Sequence, residues 1–328
     1  MIKYFTRTAG ALILTCLMNM AYCQEPVKAD TLLKKLDSLK VRADTVKQIN
    51  DISEDAYNEN TRLNGRSYLI LLGSNIKQEF TKPFHMKRSD FGKLGLYAAS
   101  VVALGFADEP IQKAALDLRN RNSGVRSTGK FISNFGFQYE IYTLAAFGAY
   151  GMIFKNVKVK TVTLLATQSV ITGLLMESVV KTITGRTRPN YYGPLEEAEP
   201  SFKGPFANLS RTSGGKKSNS SFPSGHTTAA FAAATVFAVE YKHQPLIPII
   251  AYSMATLVGV SRITENKHWA TDVFTGAVLG YLTGRQVSFN YHRFAKIKND
   301  ESRKKNTVTM RLNYDYGQLM PGLVWKFN

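Results

Sequence analysis

Lys181, Arg188 and Arg262, with His226, His268, Ser224 and Asp272, are the residues of this chain best suited to chemistry on one group, a phosphoryl dianion. They fall in three blocks: Lys181-Thr-Ile-Thr-Gly-Arg-Thr-Arg188-Pro189, then Pro223-Ser224-Gly225-His226, then Ser261-Arg262-Ile-Thr-Glu-Asn-Lys-His268-Trp-Ala-Thr-Asp272. A bound phosphoryl group carries about two negative charges near neutral pH. One lysine and two arginines can meet that charge, and a guanidinium can pair with two oxygens at once. The set calls for no metal and no cofactor. The remaining histidines, His85, His243 and His292, show no metal-ligand spacing and read as surface residues.

Each block also implies local geometry. Pro189 biases Arg188 away from helical dihedrals and is expected to end the helix that carries Lys181. Ser224 stands where it can cap a helix starting at about residue 226, and Gly225 lets backbone come close to a ligand. Amides at a helix start bind anions. His268 and Asp272 are four apart, so on a helix they share a face. A carboxylate accepting from one ring nitrogen leaves the other as a nucleophile. Any one of these features alone is an ordinary surface charge, cap or exposed ion pair; together they specify a site.

Six apolar runs must position the blocks: 94–107, 141–154, 161–180, 226–239, 246–260 and 270–284. They predict an all-α fold of about six core helices. Residues 108–135, with Asp108, Glu109 and five basic residues, and residues 185–224, rich in Gly, Pro, Ser and Asn, read as long loops facing the substrate. Leu32, Leu36, Leu39, Val46 and Ile49 recur at helical spacing in a polar N-terminal stretch, and Tyr68 to Leu72 is a short apolar run before more polar sequence. Near the C-terminus the period becomes two: Val308, Met310, Leu312, Tyr314 and Tyr316 alternate with polar residues, then Leu323, Trp325 and Phe327 alternate after Gly317-Gln318. That pattern predicts a β-hairpin. The expected organisation is a signal peptide over 1–23, a polar and helical extension over 24–90, a helical domain over 91–286, and a basic linker with the hairpin over 287–328.

The signal peptide rests on Lys3 and Arg7, an apolar stretch from Ala9 to Met18, and Ala21-Tyr22-Cys23 before Gln24. An uncleaved anchor is the alternative; bulky Tyr22 disfavours lipidation at Cys23. Cleavage would remove both cysteines, Cys16 and Cys23, so the exported protein would need no disulfide. The formal charge of +18 on 328 residues suits an anionic membrane or an anionic substrate. Nothing resembles a nucleic-acid-binding module, and the sequence is silent on oligomeric state. Only run 161–180 reaches the roughly 20 residues that a span requires. The basic residues give no firm topology, and the number of spans is left open. If all six runs crossed after a cleaved signal, the third would end in the cytoplasm with the site. A periplasmic site therefore needs an uncleaved anchor, a first run that does not cross, or a bundle that does not span.

Taken together, the blocks resemble the type 2 phosphatidic acid phosphatase (PAP2) superfamily, which includes bacterial class A acid phosphatases and vanadium haloperoxidases. Its pattern is Lys, six residues, Arg-Pro; Pro-Ser-Gly-His; Ser-Arg, five residues, His, three residues, Asp. Every fixed position is met within residues 181–272. The resemblance implies a helical bundle and a metal-independent phosphatase. His268 would attack phosphorus, Asp272 would orient it, and His226 would protonate the leaving oxygen and then activate water. Lys181, Arg188, Arg262, Ser224 and Gly225 would hold the phosphoryl oxygens. The expected substrate is an anionic phosphorylated lipid at the periplasmic side of a bacterial envelope, such as phosphatidic acid, an isoprenyl diphosphate or a lipid A phosphate. The alternatives are a soluble periplasmic acid phosphatase, a vanadium haloperoxidase, and a phospholipid-binding scaffold. The last would need a lost catalytic residue, and none is missing.

Overall fold

A computed structural model describes residues 63–136, 138–191, 198–209, 218–303, 307–315 and 318–326. The signal segment and the leucine-patterned stretch before residue 63 lie outside the described residues. The described residues hold nine α-helices: α1 Gly65–Thr81, α2 Arg88–Gly105, α3 Asp108–Arg121, α4 Ser123–Ser133, α5 Gln138–Ile153, α6 Val157–Thr184, α7 Gly225–Glu240, α8 Leu246–Thr264 and α9 Ala270–Arg303. Strands β1 Thr307–Asp315 and β2 Gln318–Lys326 pair antiparallel, with Thr307 opposite Lys326 and Asp315 opposite Gln318.

The six apolar runs lie in α2 and α5 to α9, but they do not make a core of six. The main apolar cluster includes Ile70 and Leu71 of α1, Leu144 of α5, Leu165 of α6, Val236 of α7 and Tyr291 of α9, while α2 buries no residue. Helix α9 continues past 286, through the stretch read as a linker, and Val287, Tyr291 and Phe294 are in the core. His292 is therefore buried and bonded to Glu240 at 3.1 Å, not a surface residue. His85 and His243 are exposed.

Two stretches read as loop or polar extension are helices. Residues 108–135 form α3 and α4. On α3 the buried positions are Asp108, Gln112 and Leu116, a spacing of four in which two members are polar, so apolar periodicity could not reveal it. Helix α1 buries Ser67, Ile70, Leu71, Ser74 and Asn75. Asn75 Nδ2 donates to Gln168 Oε1 at 3.0 Å and its Oδ1 accepts from Asn290 Nδ2 at 2.6 Å, which ties α1 to α6 and α9 through amides.

Asparagine side chains start three helices. The Oδ1 atoms of Asn64, Asn122 and Asn156 accept from the amides of Ser67, Val125 and Val159, at 2.8, 3.2 and 3.1 Å. Helix α6 stops at Gly185 rather than at Pro189. Gly185 adopts φ 54°, and its amide donates to the Lys181 carbonyl at 3.0 Å. A Cβ at Gly185 would collide with the Gly204 carbonyl oxygen, so a side chain is excluded twice over.

Central α7 packs against α6, α8 and α9. Alanines 229, 232, 233 and 234 are buried on it. Gly276, Gly280 and Gly284 of α9, four apart, meet α7 backbone so closely that a Cβ on Gly276 or Gly284 would lie 2.6 Å from a carbonyl oxygen. Small residues of this kind bring helices together where apolar burial supplies little force, as in lipid.

The distribution of polarity agrees. Helix α6 exposes Ile171, Leu175, Val179 and Ile183, again four apart, and buries Gln168, Ser169, Thr172 and Glu177. Helices α6 and α8 are each long and apolar enough to cross a membrane, and α2 with α3, bent by 55°, would make a third span if the pair counts as one. Counting apolar residues alone stopped α8 at 260, but the helix runs on through Ser261 and Arg262. The bundle is all-α, with helices long and apolar enough to cross a membrane.

Candidate active site

Four helix ends meet at one end of the bundle. Lys181 and Arg262 lie in the last turns of α6 and α8, and Asp272 lies in the first turn of α9. Ser224 is the residue before α7, and Gly225 and His226 begin it. Cations at helix C-termini and anions at N-termini are each favoured by the helix dipole.

Irregular chain after Gly185 brings the first block to the others. The amides of Thr187, Arg188 and Ser221 donate to the carbonyls of Ser201, Ser218 and Arg186, each at 2.9 Å. Arg188 donates to Ser220 from Nε to the hydroxyl and from Nη2 to the carbonyl, both at 3.2 Å. The Ser224 amide donates to the Asp272 carbonyl at 3.0 Å, which joins the second block to the third. The Ser224 side chain does not cap α7; its hydroxyl accepts from Thr227 Oγ1 at 2.9 Å. Gly225 faces Glu177 and Lys181: a Cβ there would lie 2.6 Å from Glu177 Oε1 and 3.6 Å from Lys181 Nζ.

His268 and Asp272 do not share a helix. His268 sits in the turn before α9, and Asp272 reaches back to accept from the Trp269 amide at 2.9 Å. The nearest partner of the His268 ring is the Ser221 carbonyl, 2.8 Å from Nδ1, while Asp272 Oδ2 stands at 3.5 Å. A carbonyl can only accept, so Nδ1 carries the proton and Nε2 keeps its lone pair. Asp272 accepts from the Ser221 hydroxyl at 2.5 Å and from Arg186 Nη1 at 2.6 Å. It steadies the ring mainly through Ser221.

All eight residues picked out in the sequence are together. Burial, then Arg188, Arg262 and Lys181, push the His268 imidazole well below its ordinary value. Burial, then Arg262, Lys181 and Arg188, push His226 down to about 3. Both rings are therefore neutral at pH 7 beside three cations. Burial pushes the Asp272 carboxyl up, and Arg186, the Ser221 hydroxyl and the Trp269 amide oppose it. Among the described residues, no group of three or more His, Cys, Asp or Glu side chains could hold a metal ion.

The sequence reading missed five residues here. Arg186 and Asp108 pair at 2.6 Å. Ser221 holds the His268 ring, Ser133 accepts from Arg262 Nη1, and Glu177 pairs with Lys181. Only Arg186 left a signal: with Arg188 it frames one residue in an extended segment, where alternate side chains share a face. Ser221, Ser133, Glu177 and Asp108 carried none, because their partners are distant in sequence or, for Glu177, one helical turn away in an apolar run.

A histidine depressed in the folded state makes stability fall with pH. Above about 6.5 the ring is neutral folded and unfolded; below it the unfolded chain takes up the proton and the folded one does not. At pH 5 His226 alone should remove about 2 kcal/mol relative to pH 7. Unfolding measured in detergent across this range should show the loss, and His226→Gln should flatten it by about that amount. Equal pH slopes for the two proteins would contradict a neutral His226.

Residues 159–295 match the model of the PAP2 superfamily, and over this segment the chain is similar to that superfamily. Over 65 residues it is 49% identical to a lipid A 1-phosphatase of Porphyromonas gingivalis, a match covering 20% of this chain and 15% of that one. Over 188 residues it is 29% identical to phosphatidylglycerophosphatase B of Bacillus subtilis, covering 55% of this chain and 81% of the relative. The match spans under half the length of two lipid phosphate phosphatase relatives from Arabidopsis thaliana. Among solved structures, a transmembrane PAP2-type phosphatidylglycerolphosphate phosphatase from Bacillus subtilis aligns with a TM-score of 0.41 at 25% identity, over 66% of this chain and 96% of that one.

Proposed function

We propose that the chain is a metal-independent phosphatase that removes a phosphoryl group from a phosphorylated lipid through a phosphohistidine. One observation carries this reading: a neutral His268, its Nδ1 proton given to the Ser221 carbonyl, lies within the field of Lys181, Arg188, Arg262 and His226. Nε2 attacks phosphorus in line, and a P–N bond forms as the bond from phosphorus to the leaving oxygen breaks. His226, which takes up a proton once the bound dianion offsets the cations that keep it neutral, gives that proton to the oxygen. It then takes a proton from water, whose oxygen attacks phosphorus as the P–N bond breaks, and phosphate leaves. Splitting the displacement in two lowers each barrier. Lys181, Arg188, Arg262, the Ser224 hydroxyl and the Gly225 amide stabilise the charge on the equatorial oxygens.

A dianion in the site offsets the field that keeps His226 neutral, so substrate binding itself raises the basicity of the general acid. The apolar exterior of α6 and α8 supports a lipid substrate over a soluble one. The names of the relatives point the same way, toward lipid A, phosphatidylglycerophosphate or similar lipid phosphates. The domain that acts on it is assigned to 91–286, completed by the core residues of α1 and of α9 past 286. Residues 1–23 direct export, and the site faces the periplasm.

The test is a substrate panel with chelator present. Detergent-solubilised protein is offered phosphatidic acid, an isoprenyl diphosphate, a lipid A phosphate and a small aryl phosphate. Phosphate release from at least one lipid, inhibited by vanadate, is expected, because vanadate adopts the five-coordinate geometry of the transition state. No release from any of them would refute the phosphatase, and bromide oxidation appearing only with vanadate would make the protein a haloperoxidase.

A further inference from the structure

Arg186 is buried, with 3% of its surface exposed, and lies between two carboxylates that are wholly buried, Asp108 and Asp272. Its Nη2 donates to Asp108 Oδ2 and its Nη1 to Asp272 Oδ1, each at 2.6 Å. Asp108 comes from the first turn of α3, and Asp272 from the first turn of α9. Asp108 also holds the start of α9 directly. Its Oδ1 accepts from the Thr271 amide at 2.9 Å, and its Oδ2 accepts from the Thr271 hydroxyl at 2.6 Å.

Two further contacts from α3 reach the turn that precedes His268. Gln112 Nε2 donates to Asn266 Oδ1 at 3.0 Å, where Asn266 holds φ 54°. Arg119 pairs with Glu265 at 3.7 Å. Asp108, Gln112 and Arg119 thus fasten α3 along residues 265–271, the stretch that presents the nucleophile.

The reacting phosphate has its own cations, and Arg186 is committed to carboxylates. We propose that Asp108 and Arg186 are positioning residues for His268: the buried chain Asp108–Arg186–Asp272 sets the charge and place of Asp272, and α3 holds the His268 turn through it. This rests on the phosphatase reading above and adds a role outside the phosphate-binding set. The physical reason is the charge balance. Two carboxylates and one guanidinium leave one negative charge in excess. Without the guanidinium, two like charges face each other in a buried space, and one must take up a proton or the pair must separate. Either response disturbs Asp272, and with it Ser221 and the His268 ring. Removing the Asp108 charge as well returns the cluster to one negative charge.

The experiment is a double-mutant cycle on the full chain in detergent, with kcat and KM measured on whichever panel lipid is turned over. Arg186→Gln should lower kcat by about 100-fold with KM within about threefold, since neither residue touches substrate. Asp108→Asn, which keeps an oxygen for the Thr271 amide, should lower kcat by about tenfold. The double variant Asp108→Asn with Arg186→Gln should be about tenfold faster than Arg186→Gln alone, a non-additivity that two independent structural losses would not produce. Thermal midpoints identify variants that fail to fold; if Arg186→Gln is one, Asp108→Asn decides. Wild-type kcat in Asp108→Asn, a double variant no faster than Arg186→Gln, or a loss appearing in KM alone would each overturn the proposal. Failure of the parent reading looks different: the unaltered protein would release no phosphate, or His268→Ala would be as active as it.

Discussion

His268→Ala should lower turnover by at least about 10⁴-fold while inorganic phosphate still binds within about tenfold of its original affinity. The asymmetry follows from the charge state of the site. His268 is neutral in the unliganded protein, so its removal deletes a nucleophile and no positive charge. Lys181, Arg188 and Arg262 remain to meet the dianion. The substitution does leave the Ser221 carbonyl without the Nδ1 proton, which costs about 1–3 kcal/mol when the acceptor is buried. His268→Gln can restore a donor at that carbonyl and should be more stable, yet equally inactive. Steady-state phosphate release and phosphate titration on both variants check this. Near-normal rates in either would remove His268 as the nucleophile.

The second large effect concerns His226. Its two proposed duties, proton donation and then water activation, separate according to the leaving group. On a lipid phosphate, an alkoxide leaves poorly without a proton, and His226→Ala should lose about 10³-fold or more in turnover. On an aryl phosphate, the phenolate leaves unaided, and only the second step still needs the ring. Mixing His226→Ala with excess aryl phosphate should release about one phenolate per protein quickly, then continue slowly, as expected of a trapped covalent intermediate. A linear time course with no burst, at protein concentrations where one equivalent is measurable, would argue against a phosphoenzyme resolved by His226.

The two predictions use residues legible in sequence, and the reason is local. Lys181 and Arg188 are separated by the end of one helix, Ser224 to His226 by no gap, and Arg262 to Asp272 by one turn between helices. Within each block, distance along the chain nearly equals distance in space, so spacing alone brings the right atoms near one another. The apolar runs inside α2 and α5 to α9 were legible for a similar reason: an apolar stripe is a periodic property of a short segment.

What escaped was non-local. Asp108 lies far along the chain from Asp272, and the stretch after it scatters charged and polar residues among few apolar ones, so 108–135 has the composition of a loop. Its helical order is fixed by the face that carries Asp108, Gln112 and Leu116, and that face has a meaning only once α8 and α9 are packed against it. The stop of α6 was misplaced because Pro189 is the louder signal, while Gly185 is held by contact with Gly204 across the 185–204 segment. The relation of His268 to Asp272 was read as one helix face. In the folded chain a turn intervenes, and the Ser221 carbonyl takes the Nδ1 proton.

The amino-acid sequence by itself determined the residues on which the proposed chemistry rests: which side chains could hold a phosphoryl group, which ring could attack it, and that helices must present them. Those are properties of residue types and short spacings. Tertiary structure alone decided which partner orients the nucleophile, that α1 and the far half of α9 complete the core, and that Arg186 is occupied by two carboxylates rather than by substrate. Each of these depends on buried polar atoms finding partners across helices. An unpaired buried charge costs so much that the fold, and not the local sequence, chooses the pairing.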